Sequence, residues 1–172
     1  TSDFAQADIT ESGCTLGTFG TTSSTVYTDT CTASSDGTPT VAVAAGAFND
    51  AVGNDNSVSN TYTWTQDDTG PTMTITSSTA DTGATTGTAA FALTFTSNEA
   101  TTDFIAGDIT ATNCALSSLT GSTTKVYTAT CTPADGATAS VAVAAGTFSD
   151  ASSNTNSVSN TYSWTYDGTG PT

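Results

Sequence analysis

The residues best equipped for chemistry are the oxygen donors of the stretch NDAVGNDN at 49–56, where Asp50, Asn54 and Asp55 fall close to one turn. Carboxylates and amide carbonyls gathered in this way suit calcium, which takes several hard oxygen ligands. One hundred residues later, SDASSNTN keeps Asp150 and Asn154 but replaces Gly53 by Ser153 and Asp55 by Thr155, so a second site would be the weaker. The same residue types serve turns without metal, because Asp and Asn side chains hydrogen-bond turn backbone and tolerate left-handed geometry. The spacing is not that of an EF-hand and no bidentate Glu follows, so both readings stand.

Cysteine chemistry is more restricted. Cys14 and Cys31 recur as Cys114 and Cys131, each pair 17 positions apart. An even count placed alike in two copies predicts one disulfide per copy and an oxidising compartment. A thiolate metal site would need further Cys or His ligands, and the chain has no His and no C-x-x-C pair. Nucleophilic catalysis fails for the same reason: with no His, and Lys125 the only Lys or Arg, no base is at hand to activate a Ser. Paired carboxylates could hydrolyse glycosides, but the Asp residues fall at predicted loops and strand ends, without an aromatic-lined cleft. No phosphate-cradling Gly loop occurs. The expectation is a protein that is not an enzyme and takes no organic cofactor.

Charge narrows the partners. The formal net charge is −15, from 16 acidic residues against a single cation. Affinity for phosphate rests on Lys and Arg, so nucleic acid and anionic lipid head groups are repelled. No run of 18 apolar residues appears, hence no membrane span is expected in this segment. Self-repulsion of this size favours an extended body or carboxylates neutralised by cations, both of which point outside the cell. The start lacks an initiator Met and a signal core, which reads as an excerpt of a longer chain.

These side chains have to be positioned by strands. Thr supplies 43 residues and Ser 21, while helix-favouring Leu, Glu, Lys and Arg are scarce. Sliding the chain by 100 residues aligns 1–72 with 101–172 without a gap, and 39 of the 72 positions are identical. That period is too long for a solenoid unit, so each copy is expected to be a domain with its own core. Met73 and Ile75 share one strand face; Phe91, Leu93 and Phe95 share another. Val41 and Val43 recur as Val141 and Val143, and Val58, Tyr62 and Trp64 as Val158, Tyr162 and Trp164. Alternation with one apolar face predicts antiparallel sheets packed as an all-β sandwich, with all four of Tyr62, Trp64, Tyr162 and Trp164 largely buried.

The GPT at 70–72 and again at 170–172 reads as a junction, since Pro lacks an amide donor. Residues 71–170 are then one whole domain and 171–172 begin the next. Residues 1–70 lack the stretch equivalent to 71–100, and with it two predicted strands. Their place is expected to be taken by a preceding segment, or by strand complementation from an identical neighbouring subunit.

Several stretches carry a resemblance: FIAGDITATNCAL from Phe104, and KVYTATCTPADGATASVAVAAGTFSDASSNTNSVSNTYSWTYDGTGPT from Lys125, with their counterparts in the first copy. This succession resembles the bacterial Ig-like repeats of large surface adhesins and biofilm-associated proteins. It runs from a Phe, a D-I strand and a Tyr strand with a Pro turn to a V-x-V-x-A-G strand, a D-x-x-G-N loop and a terminal D-x-T-x-P junction. The resemblance implies tandem Ig-like sandwiches of about 100 residues that form a stalk, and the expectation is a noncatalytic structural protein, an adhesin stalk, surface layer or filament, outside the cell or at its surface. It also implies calcium at the junctions, which nominates Asp67 and Asp167 beside the loop residues Asp50 and Asp150. The paired cysteines, and Ser153 in place of the family Gly, depart from the pattern. The alternative is an adhesive module that binds a glycan or receptor through its loops; such a module would carry aromatics on an open face.

Overall fold

The computed structural model describes residues 3–121 and 124–171, and at Phe91 the backbone only. The Phe91 side chain and Thr172, both named above, therefore lie outside the described residues. The chain divides into two compact units, Thr1–Asp68 and Thr69–Thr172.

In the first unit the strands are β1 (Ile9–Ser12), β2 (Cys14–Leu16), β3 (Gly20–Ser23), β4 (Val26–Thr28), β5 (Cys31–Ala33), β6 (Thr40–Val43) and β7 (Tyr62–Thr63). The second unit contains β8 (Met73–Thr76), β9 (Thr85–Thr86), β10 (Phe91–Ser97), β11 (Ile109–Thr112), β12 (Cys114–Leu116), β13 (Thr120–Gly121), β14 (Val126–Pro133), β15 (Thr138–Val143) and β16 (Tyr162–Tyr166). Besides strands, the described residues form a short 3-10 turn at Gln6–Asp8 and another at Ala106–Asp108.

The second unit is a complete sandwich. One sheet runs β12-β14-β10-β8 with β13 also on β14; the other runs β11-β15-β16-β9. All pairings are antiparallel except β16 with β9. The period-2 pattern fixes which face is buried. In β8, Met73 and Ile75 point inward while Thr74 and Thr76 face solvent, and β15 buries Ala139, Val141 and Val143. Leu93, Phe95, Val141, Val143 and Trp164 are wholly shielded from solvent and pack into one core. Burying each such large side chain contributes roughly 1.5–3 kcal/mol.

The first unit repeats only part of this. β1 pairs β6 in the register that β11 keeps with β15, and β2 pairs β5 as β12 pairs β14. Its described residues contain no counterpart of β8, β9 and β10. The run matching β14 has no strand on the side where β10 lies, and it is broken into β4 and β5 at Asp29 and Thr30.

Two expectations are corrected here. Tyr62 is 64% exposed and Trp64 only half-buried, whereas Tyr162 is 4% and Trp164 0% exposed. The residues are identical; what differs is the covering segment that the second unit supplies from 73–97. Val58 and Val158 are also exposed and lie outside any strand. The chain there turns Ser59 and Ser159 toward the sheet instead, and each hydroxyl accepts the Val43 or Val143 amide at 2.8 Å.

Candidate functional site

The cysteines sit on paired strands. Cys14 of β2 bonds Cys31 of β5, and Cys114 of β12 bonds Cys131 of β14, with Cα separations of 5.6 and 5.8 Å. Cys131 is fully buried, so this bond forms part of the core rather than a reactive surface.

The loop oxygens are organised by their own backbone. Asp50 Oδ1 accepts the Val52 and Asn54 amides, both at 2.9 Å, and Oδ2 accepts Asn54 Nδ2 at 2.9 Å. Asp150 does the same with Ser152, at 2.8 Å, and Asn154, at 2.9 and 3.0 Å. Gly53 and Ser153 close these turns with φ of 87° and 71°. The hydrogen bonds, led by the Asn54 amide, hold the Asp50 carboxyl below its ordinary pKa. Burial pushes Asp150 upward, but hydrogen bonds from Asn154 and Ser152 outweigh it and its pKa is lowered as well.

The remaining nominated ligands do not share one arrangement. Asp55 accepts the Asn49 side chain at 3.3 Å across the loop, and Thr155 stands in its place in the second copy. Asp67 is half-buried in the first unit, beside the Gln66 backbone that bridges to Gly37. Asp167 is exposed; its amide donates to the Thr86 carbonyl, and its carboxylate accepts the Thr169 amide at 3.0 Å.

Three side chains have roles that their place in the sequence does not reveal. A carboxylate oxygen of the half-buried Glu99 lies within 4.8 Å of one from Asp150. Asp103 anchors the loop from outside, accepting Ser149 Oγ at 2.7 Å and Thr101 Oγ1 at 2.7 Å. Asn156, 2% exposed, is the loop's internal brace: Oδ1 accepts the Thr147 and Phe148 amides, and Nδ2 donates to the Ala144 and Ser157 carbonyls. Asn56 makes the matching bonds in the first unit. The signal available was its recurrence at the same place in both copies.

One strand register, one disulfide and one braced loop thus recur in both units, within a complete β-sandwich in the second. Comparison with known families agrees: the sequence profile of the bacterial Ig-like domain matches residues 1–65 and 67–166. The chain belongs to the bacterial Ig-like domain family. Among solved structures, that of Yersinia pseudotuberculosis InvD is similar to these Ig-like repeats at 22% identity and a TM-score of 0.41, over 92% of this chain. The chain spans 45% of the InvD chain. No curated protein matches the sequence. Among the described residues, no helix is long and apolar enough to cross a membrane.

Proposed function

We propose that these Ig-like repeats are noncatalytic structural modules of an extracellular bacterial surface protein, an adhesin stalk, surface layer or filament, acting by assembly of one repeat with the next. One observation carries this reading: the residues held in common by the two copies are those that build the scaffold. Phe104 packs edge-on against Tyr127 and Phe148 at 5.0 and 5.1 Å, and Phe4 against Tyr27 and Phe48 at 4.9 Å each. The shared Cys, Asn and Asp residues are spent on disulfides and loop bracing. Two disulfides fit an oxidising, extracellular setting.

Calcium belongs to the same proposal. Glu99 and Asp150, both half-buried, bring carboxylate oxygens within 4.8 Å of each other, a spacing at which one cation can take a ligand from each. A hard cation would find further oxygen donors in the adjoining loop.

The exposed Tyr62 would suit the alternative, a glycan- or receptor-binding module. However, its twin Tyr162 is covered by the repeat's own strands, so its exposure follows from the missing strands. Single-molecule extension separates the readings. The structural role predicts discrete unfolding of the second repeat with the disulfide loop retained, and a longer release once reductant opens it. Saturable binding to a glycan array that Tyr62→Ala abolishes would overturn it.

A further inference from the structure

The first repeat retains receptor residues for a segment that its described residues do not contain. In the second repeat, Asn160 grips β8 in both directions: Oδ1 accepts the Ile75 amide at 2.7 Å and Nδ2 donates to the Ile75 carbonyl at 3.0 Å. Tyr162 Oη donates to the Ala80 carbonyl, the Ser157 amide to the Pro71 carbonyl and the Thr165 amide to the Ala84 carbonyl. Residues 71–97 supply every one of these ligands. Yet Asn60, Tyr62, Ser57 and Thr65 stand at the matching places in the first repeat.

Beside them lies a cleft of about 640 Å³, walled by Ile9, Leu16, Cys31, Val41 and Trp64. The counterparts Cys131, Val141 and Trp164 are 0% exposed, because Ile75, Leu93 and Phe95 pack against them. The cleft is therefore the negative of an apolar strand, and the second repeat displays the shape of its occupant.

One substitution gives the first cleft its own specificity. Leu93 of β10 lies opposite Ala129, and the first repeat has Asp29 at that position. Asp29 takes Gln6 Nε2 at 2.7 Å, the Gly17 amide at 3.0 Å and the Thr30 amide at 2.7 Å, whereas the second repeat has alanines, Ala106 and Ala129, at the places of Gln6 and Asp29. A leucine set against this carboxylate would bury a charge without adding a donor.

We propose that this face is an acceptor for an extended β segment joined in line to the N-terminal side of the first repeat. The segment pairs as residues 71–97 do, but it carries a hydrogen-bond donor at the position Leu93 holds. The in-line source follows from how the backbone arrives. Asp3 accepts the Asn49 amide at 3.0 Å as Asp103 accepts that of Ser149, and Phe4 docks as Phe104 does. Residue 104 is reached from β10 through the short connection 98–103. Domain exchange with a second copy would instead bring Leu93 itself onto Asp29. The inference rests on the tandem-module reading but is tested separately from glycan binding and extension.

The test places a second copy of residues 71–100 directly before Thr1, in two versions: with the added leucine equivalent to Leu93 unchanged, and with Asn in its place. Hydroxyl-radical footprinting reads Tyr62 and Trp64, with Tyr162 and Trp164 as internal controls. Both versions should protect Tyr62 several-fold, toward the level of Tyr162. The Asn version should unfold at higher denaturant, and Asp29→Ala should invert that order. Unchanged Tyr62 labelling in both versions would overturn the acceptor. Equal midpoints would overturn the role of Asp29. Concentration-dependent protection of Tyr62 in the unextended chain, together with a dimer mass, would overturn the in-line source in favour of a second copy.

Discussion

Ser153 holds φ at 71° in a turn where the first repeat uses Gly53 at 87°. A residue with a Cβ pays about 1–2 kcal/mol for left-handed backbone, which glycine does not. Ser153→Gly should therefore raise the denaturation midpoint of the second repeat by an amount worth about 0.5–1 kcal/mol, after allowing for the freer unfolded chain. No change in chemical denaturation would show that the turn carries no strain. Asp103 gives a pH signature. Burial pushes its carboxyl upward, but hydrogen bonds from Ser149 and Thr101 outweigh this and leave its pKa lowered. A depressed folded-state pKa means stability fully present above about pH 4, the unfolded value, and lost as pH falls through the folded one. Asp103→Asn should flatten the acid limb of the stability curve, measured by denaturant midpoints between pH 6 and pH 2. At this scale the cysteines could be read from the sequence because spacing and recurrence alone restrict them. Asn56 and Asn156 recur as well, but recurrence does not separate a bracing Asn from an ordinary turn Asn, such as Asn54 and Asn154, until the loop closes around it.

At the scale of elements, alternation identified the buried faces of β8 and β15 because period 2 leaves a strand no freedom about which side faces the core. It failed at Val58, which lies outside any strand, where the chain turns the hydroxyl of Ser59 to the Val43 amide instead. It also failed for Tyr62, since burial is a property of the neighbouring strand and not of the residue's own. The two copies make that dependence measurable. Asn160→Ala removes both bonds to Ile75 and leaves β8 held by its pairing with β10 and its buried side chains, so the second repeat should lose about 1–3 kcal/mol. Asn60→Ala in the same chain should cost under about 0.5 kcal/mol, as expected of an exposed residue away from packing. Urea titration of both variants checks the asymmetry. Equal losses would mean that Asn60 already supports structure within the first repeat.

At the scale of the whole molecule, the two-copy organisation was plain from the 100-residue offset, but the net charge of −15 left its own remedy open. Screening and binding make different predictions. Exposed carboxylates repel over a Debye length of about 10 Å at 0.1 M salt, so simple screening should raise the melting temperature gradually and alike for sodium and for ionic-strength-matched calcium. A cation held between Glu99 and Asp150 should act at far lower concentration. It would stabilise by RT ln(1 + [Ca²⁺]/Kd) and saturate, and it should weaken when Glu99→Gln removes one carboxylate. Calorimetry of the chain in calcium, in matched sodium and in chelator decides between them. The expected outcome is a rise in the second repeat's transition that sub-millimolar calcium produces, chelator reverses and Glu99→Gln diminishes. Indistinguishable curves in calcium and sodium would reduce the acidic loops to hydrogen-bonded turns, leaving their spread over the surface as the chain's answer to its own charge.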